Sequence, residues 1–255
     1  MEYAAKLPPM SDPASRIVSR EAWLEARKAL LQQEKELTRQ RDSVNAARRA
    51  LPWVKVDKDY RFQTPEGEKT LSDLFEGRSQ LMINHFMFGP DWDAGCPGCS
   101  FFADHIEGML PHLNNHDVTF VTVSRAPLSK IEAYKVRMNW HFPWVSSADS
   151  DFNYDFHVSF TPEQLASGSV TYNFRQTPSE KAHDELPGLS SFYKDGQGQV
   201  FHTYSQYARG GEEALGTLMI LDHAPLGRNE TGTLSFVKRK DEYAQKPVEK
   251  AGCCH

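Results

Sequence analysis

Cysteine is scarce in this chain: four among 255 residues, at positions 96, 99, 253 and 254. So few, gathered in two close pairs, exclude a disulfide-stapled scaffold and leave redox or metal chemistry as the usual roles of such pairs. Basic residues are not in excess either. Lys and Arg total 29 against 34 Asp and Glu, a formal net charge of -5, which removes the electrostatic case for a nucleic-acid or anionic-surface partner. No apolar run approaches the roughly 20 residues that span a bilayer. The opening MEYAAKLPPMSDPAS carries no apolar signal-peptide core. The expectation is a cytoplasmic protein with no membrane partner.

What is present divides unevenly. Residues 1–15 hold three prolines and little that packs, and read as a disordered tail. Ser19 then has the character of a helix N-cap, with Val18 and Trp23 placed as a hydrophobic staple. From there to Ala50 the chain has neither glycine nor proline, while Trp23, Leu30, Leu37, Val44 and Leu51 recur every seven residues. The spacing predicts one long helix within residues 16–52, roughly 45 Å at 1.5 Å per residue. Its apolar seam is narrow, because Arg27, Glu34 and Arg41 occupy positions four residues on. One reading lays the helix along its own domain; the other pairs it with a second copy in a homodimer.

After Leu51-Pro52-Trp53 a polar connection runs through Pro65-Glu66-Gly67, and Thr70–Phe75 offers a short amphipathic turn. Leu81–Phe88 reads as a buried strand, residues 99–113 as a helix, Val118–Val123 as a β-branched strand and residues 129–139 as a helix. Trp144–Ser146 is a short strand. The stretch 149–185 is aromatic and polar without a period, and reads as an insertion. Ser190–Tyr193 and Gln199–Tyr204 form a strand pair across Asp195-Gly196-Gln197-Gly198. A last helix covers 212–221, and residues 231–255 are an extension. The order predicts an α/β fold, a central mixed sheet flanked by helices, with the insertion before the last strand pair.

Within this order the pair Cys96-Pro97-Gly98-Cys99 follows a strand and a turn-rich loop and opens a helix. A cysteine at a helix N-terminus meets unpaired N–H groups and the positive end of the dipole, both of which favour a thiolate. Pro97 suits the first turn, where its missing N–H has no partner to lose. Cys99 lies one turn on and on the same face, close enough to close a disulfide. Cys96 is therefore the expected nucleophile and Cys99 the sheltered resolving thiol. Two alternatives stand beside this: a zinc site completed by Cys253, Cys254 and His255, and a pair of inert core thiols.

Asp91 and Asp93 would raise the Cys96 pKa if they faced it. Trp92 either shields the dithiol or fills the core. Arg125, at the carboxyl edge of the sheet, either stabilises the Cys96 thiolate or pairs with Asp91 or Asp93. His85 and His202 read as core histidines before catalytic ones.

The strand–Cys-x-x-Cys–helix–strand–helix–strand pair–helix order resembles the thioredoxin superfamily, and Gly67–Phe75 resembles the opening of its peroxiredoxin-like branch. Closer still, His85–Trp92 through Cys99, Val123–Leu128, Leu186–Ser190 and Phe192–Asp195, with Glu21–Arg27 in the long helix, resemble a bacterial family known as domain of unknown function 899. Its members are described as predicted dithiol–disulfide oxidoreductases. The resemblance runs from about residue 16 to 230, making 53–230 a thioredoxin-like domain. It implies a cis-proline facing the dithiol at Pro187, with the backbone of Leu186 held extended to hydrogen-bond a substrate.

The chain departs from thioredoxin in its Cys-Pro-Gly-Cys order, in a tryptophan four residues before the first cysteine, and in the insertion. Taken together, the expectation is a thiol–disulfide oxidoreductase using Cys96 and Cys99 on a thiol or disulfide substrate, with no cofactor and no metal. Its rivals are a peroxiredoxin-like thiol peroxidase and a non-enzymatic metal or redox sensor.

Overall fold

A computed structural model describes residues 17–181 and 183–243. The tail expected at 1–15 and the cysteines at Cys253 and Cys254 lie outside them. The chain divides after Leu51 into two units.

The first unit is a helix, α1 (Arg20–Arg49). The Ser19 side chain caps it by accepting from the Ala22 amide at 3.2 Å, and Arg48 and Arg49 sit at the negative end of the dipole. Glu25–Lys28 and Arg27–Glu34 pairs, each 2.8 Å, run along its flank. The helix buries none of its residues, and Trp23, Leu30, Leu37 and Val44 of the seven-residue seam are all exposed.

The second unit is built on an eight-stranded mixed sheet. Its strands are β1 (Val54–Lys55), β2 (Arg61–Thr64), β3 (Gly67–Thr70), β4 (Gln80–His85), β5 (Val118–Ser124), β6 (Trp144–Ser146), β9 (Gly188–Lys194) and β10 (Val200–Tyr207). They lie in the order β1-β10-β9-β4-β5-β6-β2-β3. β4, β5 and β6 are parallel, while β9 runs antiparallel beside β4 and β10 antiparallel beside β9. The crossovers carry α2 (Pro97–Ala103) and α3 (Leu110–Asn115), then α4 (Leu128–Met138), which Asn139 ends in a left-handed conformation at φ 51°. This is the thioredoxin-like arrangement, with the first parallel strand feeding the cysteine motif.

Strand alternation sorts the core. Leu81, Ile83, Val121, Val123 and Phe192 face one side; Phe120 and Leu189 face the other, where Ile106, Ile131, Tyr134, Trp140 and Trp144 cover them. The first side is closed by the stretch expected to be an insertion. It contains α5 (Phe152–Asp155), α6 (Pro162–Ala166) and a separate hairpin of β7 (Ser169–Tyr172) and β8 (Arg175–Pro178). Phe152, Phe156, Val158, Phe160, Val170 and Tyr172 from this stretch are buried in the main core, each worth about 1.5–3 kcal/mol of apolar transfer. It is a layer of the domain. A last helix, α7 (Gly216–Leu221), follows a 3-10 segment at Ala208–Ala214.

Three expectations need correction. The polar connection after Leu51 contains β1, β2 and β3; they escape notice because β1 is wholly exposed and only Phe62 and Thr64 of β2 are buried. Gly67 turns the β2–β3 hairpin at φ 114°, a conformation that favours glycine. The helix expected over 99–113 stops at Ala103 and resumes at Leu110, where Pro111 falls in the first turn and its missing N–H has no intrahelical partner to lose. The helix expected over 212–221 is α only from Gly216. Among the described residues no helix is long and apolar enough to cross a membrane.

Candidate active site

β4 ends at His85, and the chain continues beside β5: the Phe86 amide donates to the Val123 carbonyl at 2.9 Å and the Ala126 amide to the Phe88 carbonyl at 2.8 Å. The loop then folds back, the Cys96 amide donating to the Met87 carbonyl at 3.0 Å. Glycine is required just before this point. A Cβ on Gly95 would stand 2.5 Å from Phe86 Cε1 and 2.9 Å from Tyr134 Cε1. Cys96 is the N-cap of α2 and Pro97 its first residue. The Ser100 amide and hydroxyl both donate to the Cys96 carbonyl, at 2.9 and 2.8 Å.

Both cysteines are free thiols, Cys96 half-buried and Cys99 buried. Their acidities are driven apart. The Cys96 pKa falls to about 6, first because the Cys99 thiol donates to its sulfur; the N–H groups of Cys99 and Gly98 and the charge of Arg239 add to this, against the penalty of burial. Cys99 moves up for the reciprocal reason: it holds its proton against Cys96, is buried, and feels the negative charges of Cys96 and Glu185, with only the Met87 N–H at 3.5 Å opposing.

Glu185 is a buried carboxyl that the sequence reading missed. It accepts from Arg125 Nε at 2.5 Å and Ser159 Oγ at 2.8 Å. Burial nevertheless outweighs these partners and lifts its pKa to about 7.

Arg125 thus differs from both expectations. Its guanidinium is committed to Glu185, to the Tyr154 hydroxyl and ring, and at 3.8 Å to Asp184; its partners are not Asp91 or Asp93, and the arginine acting on Cys96 is Arg239. Trp92 packs at the edge of the core and donates from Nε1 to Asp184 Oδ1 at 3.2 Å, so Asp184 joins Trp92 to Arg125.

Pro187 and Leu186 also require correction. No peptide bond among the described residues is cis, so Leu186–Pro187 is trans. Ser159 and Glu185 form an antiparallel bridge, and the Leu186 amide donates to the Val158 carbonyl at 2.8 Å. That extended pairing leads straight into β9, and it uses the Leu186 N–H internally.

The histidines behave as core residues. His85 is buried against Phe152 and Phe156, bonded through Nε2 to Ser190 Oγ at 2.8 Å, and burial pushes its pKa down to about 3. His202 bonds Ser205 Oγ at 2.8 Å. Among the described residues no group of three or more His, Cys, Asp or Glu side chains is placed to hold a metal.

A mixed sheet whose first parallel strand delivers a Cys-x-x-Cys pair to a helix tip, with one thiol acidic and the other not, defines a thioredoxin-fold dithiol protein. Over residues 12–243 the chain matches the family described as "Bacterial protein of unknown function (DUF899)", and it belongs to that family. No curated protein matches it in sequence.

Solved structures similar to it include peroxidoxin BcpB of Mycobacterium tuberculosis (16% identity, 67% of this chain and 97% of that one, TM-score 0.42). Another is a cysteine-to-serine mutant of Xanthomonas campestris peroxiredoxin Q (16%, 68% and 99%, 0.46). A third is a Chlorobium tepidum protein provisionally described as thiol:disulfide interchange protein DsbE (14%, 67% and 96%, 0.40).

Proposed function

We propose that the protein is a thiol–disulfide oxidoreductase in which Cys96 attacks and Cys99 resolves. The observation that carries this reading is the placement of two free thiols at the tip of α2, Cys96 half-buried at the N-cap and Cys99 buried one turn on, each shifting the other's acidity in opposite directions. The Cys96 thiolate attacks one sulfur of a substrate disulfide, forming a mixed disulfide and releasing the other sulfur as a thiolate that takes up a proton. Cys99 then gives up its proton and attacks the Cys96 sulfur. The second substrate thiolate leaves, and Cys96–Cys99 is oxidised by the two electrons the substrate gained.

The test is insulin-disulfide reduction with dithiothreitol as donor. Cys96→Ser abolishes turnover above the dithiothreitol background, and Cys99→Ser accumulates a covalent substrate adduct. Equal, mild losses in both variants would overturn the assignment.

A second reading, a thiol peroxidase, is favoured by the partial cover over Cys96, which suits a small oxidant. There the Cys96 thiolate takes the distal oxygen of a hydroperoxide, an alcohol leaves, and Cys99 condenses with the sulfenic acid to expel water. Hydroperoxide consumption measured beside insulin reduction separates the two. The exposed seam of α1 supports pairing with a second copy, and a cytoplasmic location belongs to the same proposal.

A further inference from the structure

Beyond α7 the chain returns to the cysteine motif. Leu234, Phe236 and Val237 pack against Phe101 and Leu218. The position a Cβ on Gly98 would take lies 3.5 Å from Leu234 Cδ1 and 3.9 Å from Cys96 Sγ, so Leu234 and the sulfur flank the same glycine. Farther on, Lys240 pairs with Asp104 at 3.0 Å, and Asp241 and Glu242 bind Arg137 at 2.7 and 3.3 Å. These contacts seat a strap, residues 232–243, across the start of α2.

Arg239 points inward from this strap. Its Nε and Nη2 both donate to the Gly95 carbonyl, at 2.9 and 2.6 Å. Since the Cys96 amide donates to Met87, the peptide unit joining Gly95 to Cys96 is held from both ends. Nε also lies 3.0 Å from the Tyr134 hydroxyl, which is 2.9 Å from Ser100 Oγ, which in turn donates to the Cys96 carbonyl. One guanidinium thereby reaches the carbonyls on both sides of Cys96, directly and through two hydroxyls. Glu242 takes Nη1 at 2.7 Å and orients the fork. A lysine ammonium has no such planar fork.

We propose that Arg239 is a positioning residue of the dithiol, holding the Gly95–Cys96 peptide and setting its positive charge to act on the Cys96 sulfur, so that the reactivity of Cys96 depends on the seated strap. This rests on the reading of Cys96 as the attacking thiol. The charged and titratable groups that bear on the pair are Cys99 and Arg239 on Cys96, Glu185 and Cys96 on Cys99, and Tyr134 and Glu242 on Arg239.

The test is the pH profile of Cys96 alkylation by iodoacetamide in the reduced full chain, with the Cys96 peptide quantified by mass spectrometry. The wild-type midpoint is expected near 6. Arg239→Gln shifts it up by about one unit, slowing alkylation roughly fivefold at a pH equal to the original midpoint. Arg239→Lys gives an intermediate shift, and added guanidinium ion partly restores the Arg239→Gln rate. A strap that merely supports the fold would change thermal stability and leave the midpoint in place.

An unmoved midpoint in folded Arg239→Gln overturns the role of Arg239 alone; if that variant does not fold, an unmoved midpoint in Arg239→Lys does so. A wild-type midpoint at the ordinary thiol value overturns both this inference and the reading of Cys96 beneath it.

Discussion

The Tyr172 hydroxyl donates to the Pro187 carbonyl at 2.7 Å while accepting from the Ala208 amide at 2.9 Å. One phenol on the β7–β8 hairpin thus ties the entry of β9 to the exit of β10. Tyr172→Phe keeps the ring and leaves both backbone groups without this partner. The expected loss is about 1–2 kcal/mol of unfolding free energy by urea denaturation. An unchanged midpoint would show that water replaces both bonds at no cost.

Glu185 gives stability a pH dependence of definite sign. Its folded pKa, about 7, lies above its ordinary value of 4.5. Between those values the folded chain binds more protons than the unfolded one, so this carboxyl's contribution is present below 4.5 and is lost as pH rises through 7. The full span is of the order of 3 kcal/mol. Glu185→Gln should flatten the stability profile in that window. Denaturation at a series of pH values checks it, and a parallel profile in the variant counts against it.

Gly95 faces Phe86 and Tyr134 too closely for any side chain. Gly95→Ala should cost about 1–3 kcal/mol by overpacking and lower the rate of Cys96 alkylation by displacing the motif. Full stability with unchanged reactivity would mean that the two rings simply step aside.

The seam of α1 is predicted to join two copies. Leu30→Glu with Leu37→Glu should convert a sedimenting dimer to a monomer and leave Cys96 reactivity intact. A wild-type protein that is monomeric at tens of micromolar rules this pairing out.

The parts most legible in the sequence were those with strong local signals. The apolar run of β4, the turn-rich loop and Pro97 at a helix start located the dithiol, and the glycine-free stretch with its Ser19 cap located α1. Elements with little burial gave no such signal, as β1 and β3 show. The aromatic residues of 149–185 lacked a period because they enter the core from short helices, loops and a hairpin, so the sequence did not show that this insertion packs into the core.

At the site, the two sulfurs were legible and their surroundings were not. Glu185 and Arg239 arrive from distant segments with no local pattern, and their effect on the pair arises only through tertiary placement. Arg125 was rightly placed near the sheet edge, but its partner could not be read from neighbouring carboxylates.

The proton that Cys99 lends to its neighbour makes the pair self-timing. Two of the influences that keep Cys99 protonated, the bond to the Cys96 sulfur and that sulfur's negative charge, exist only while Cys96 is an uncapped anion. Once a substrate is attached there, both vanish, and the second thiol becomes easier to ionise at the moment its attack is needed. On the proposed mechanism, the contact that lowers the Cys96 pKa is also the one that holds the proton on Cys99 until a substrate caps Cys96.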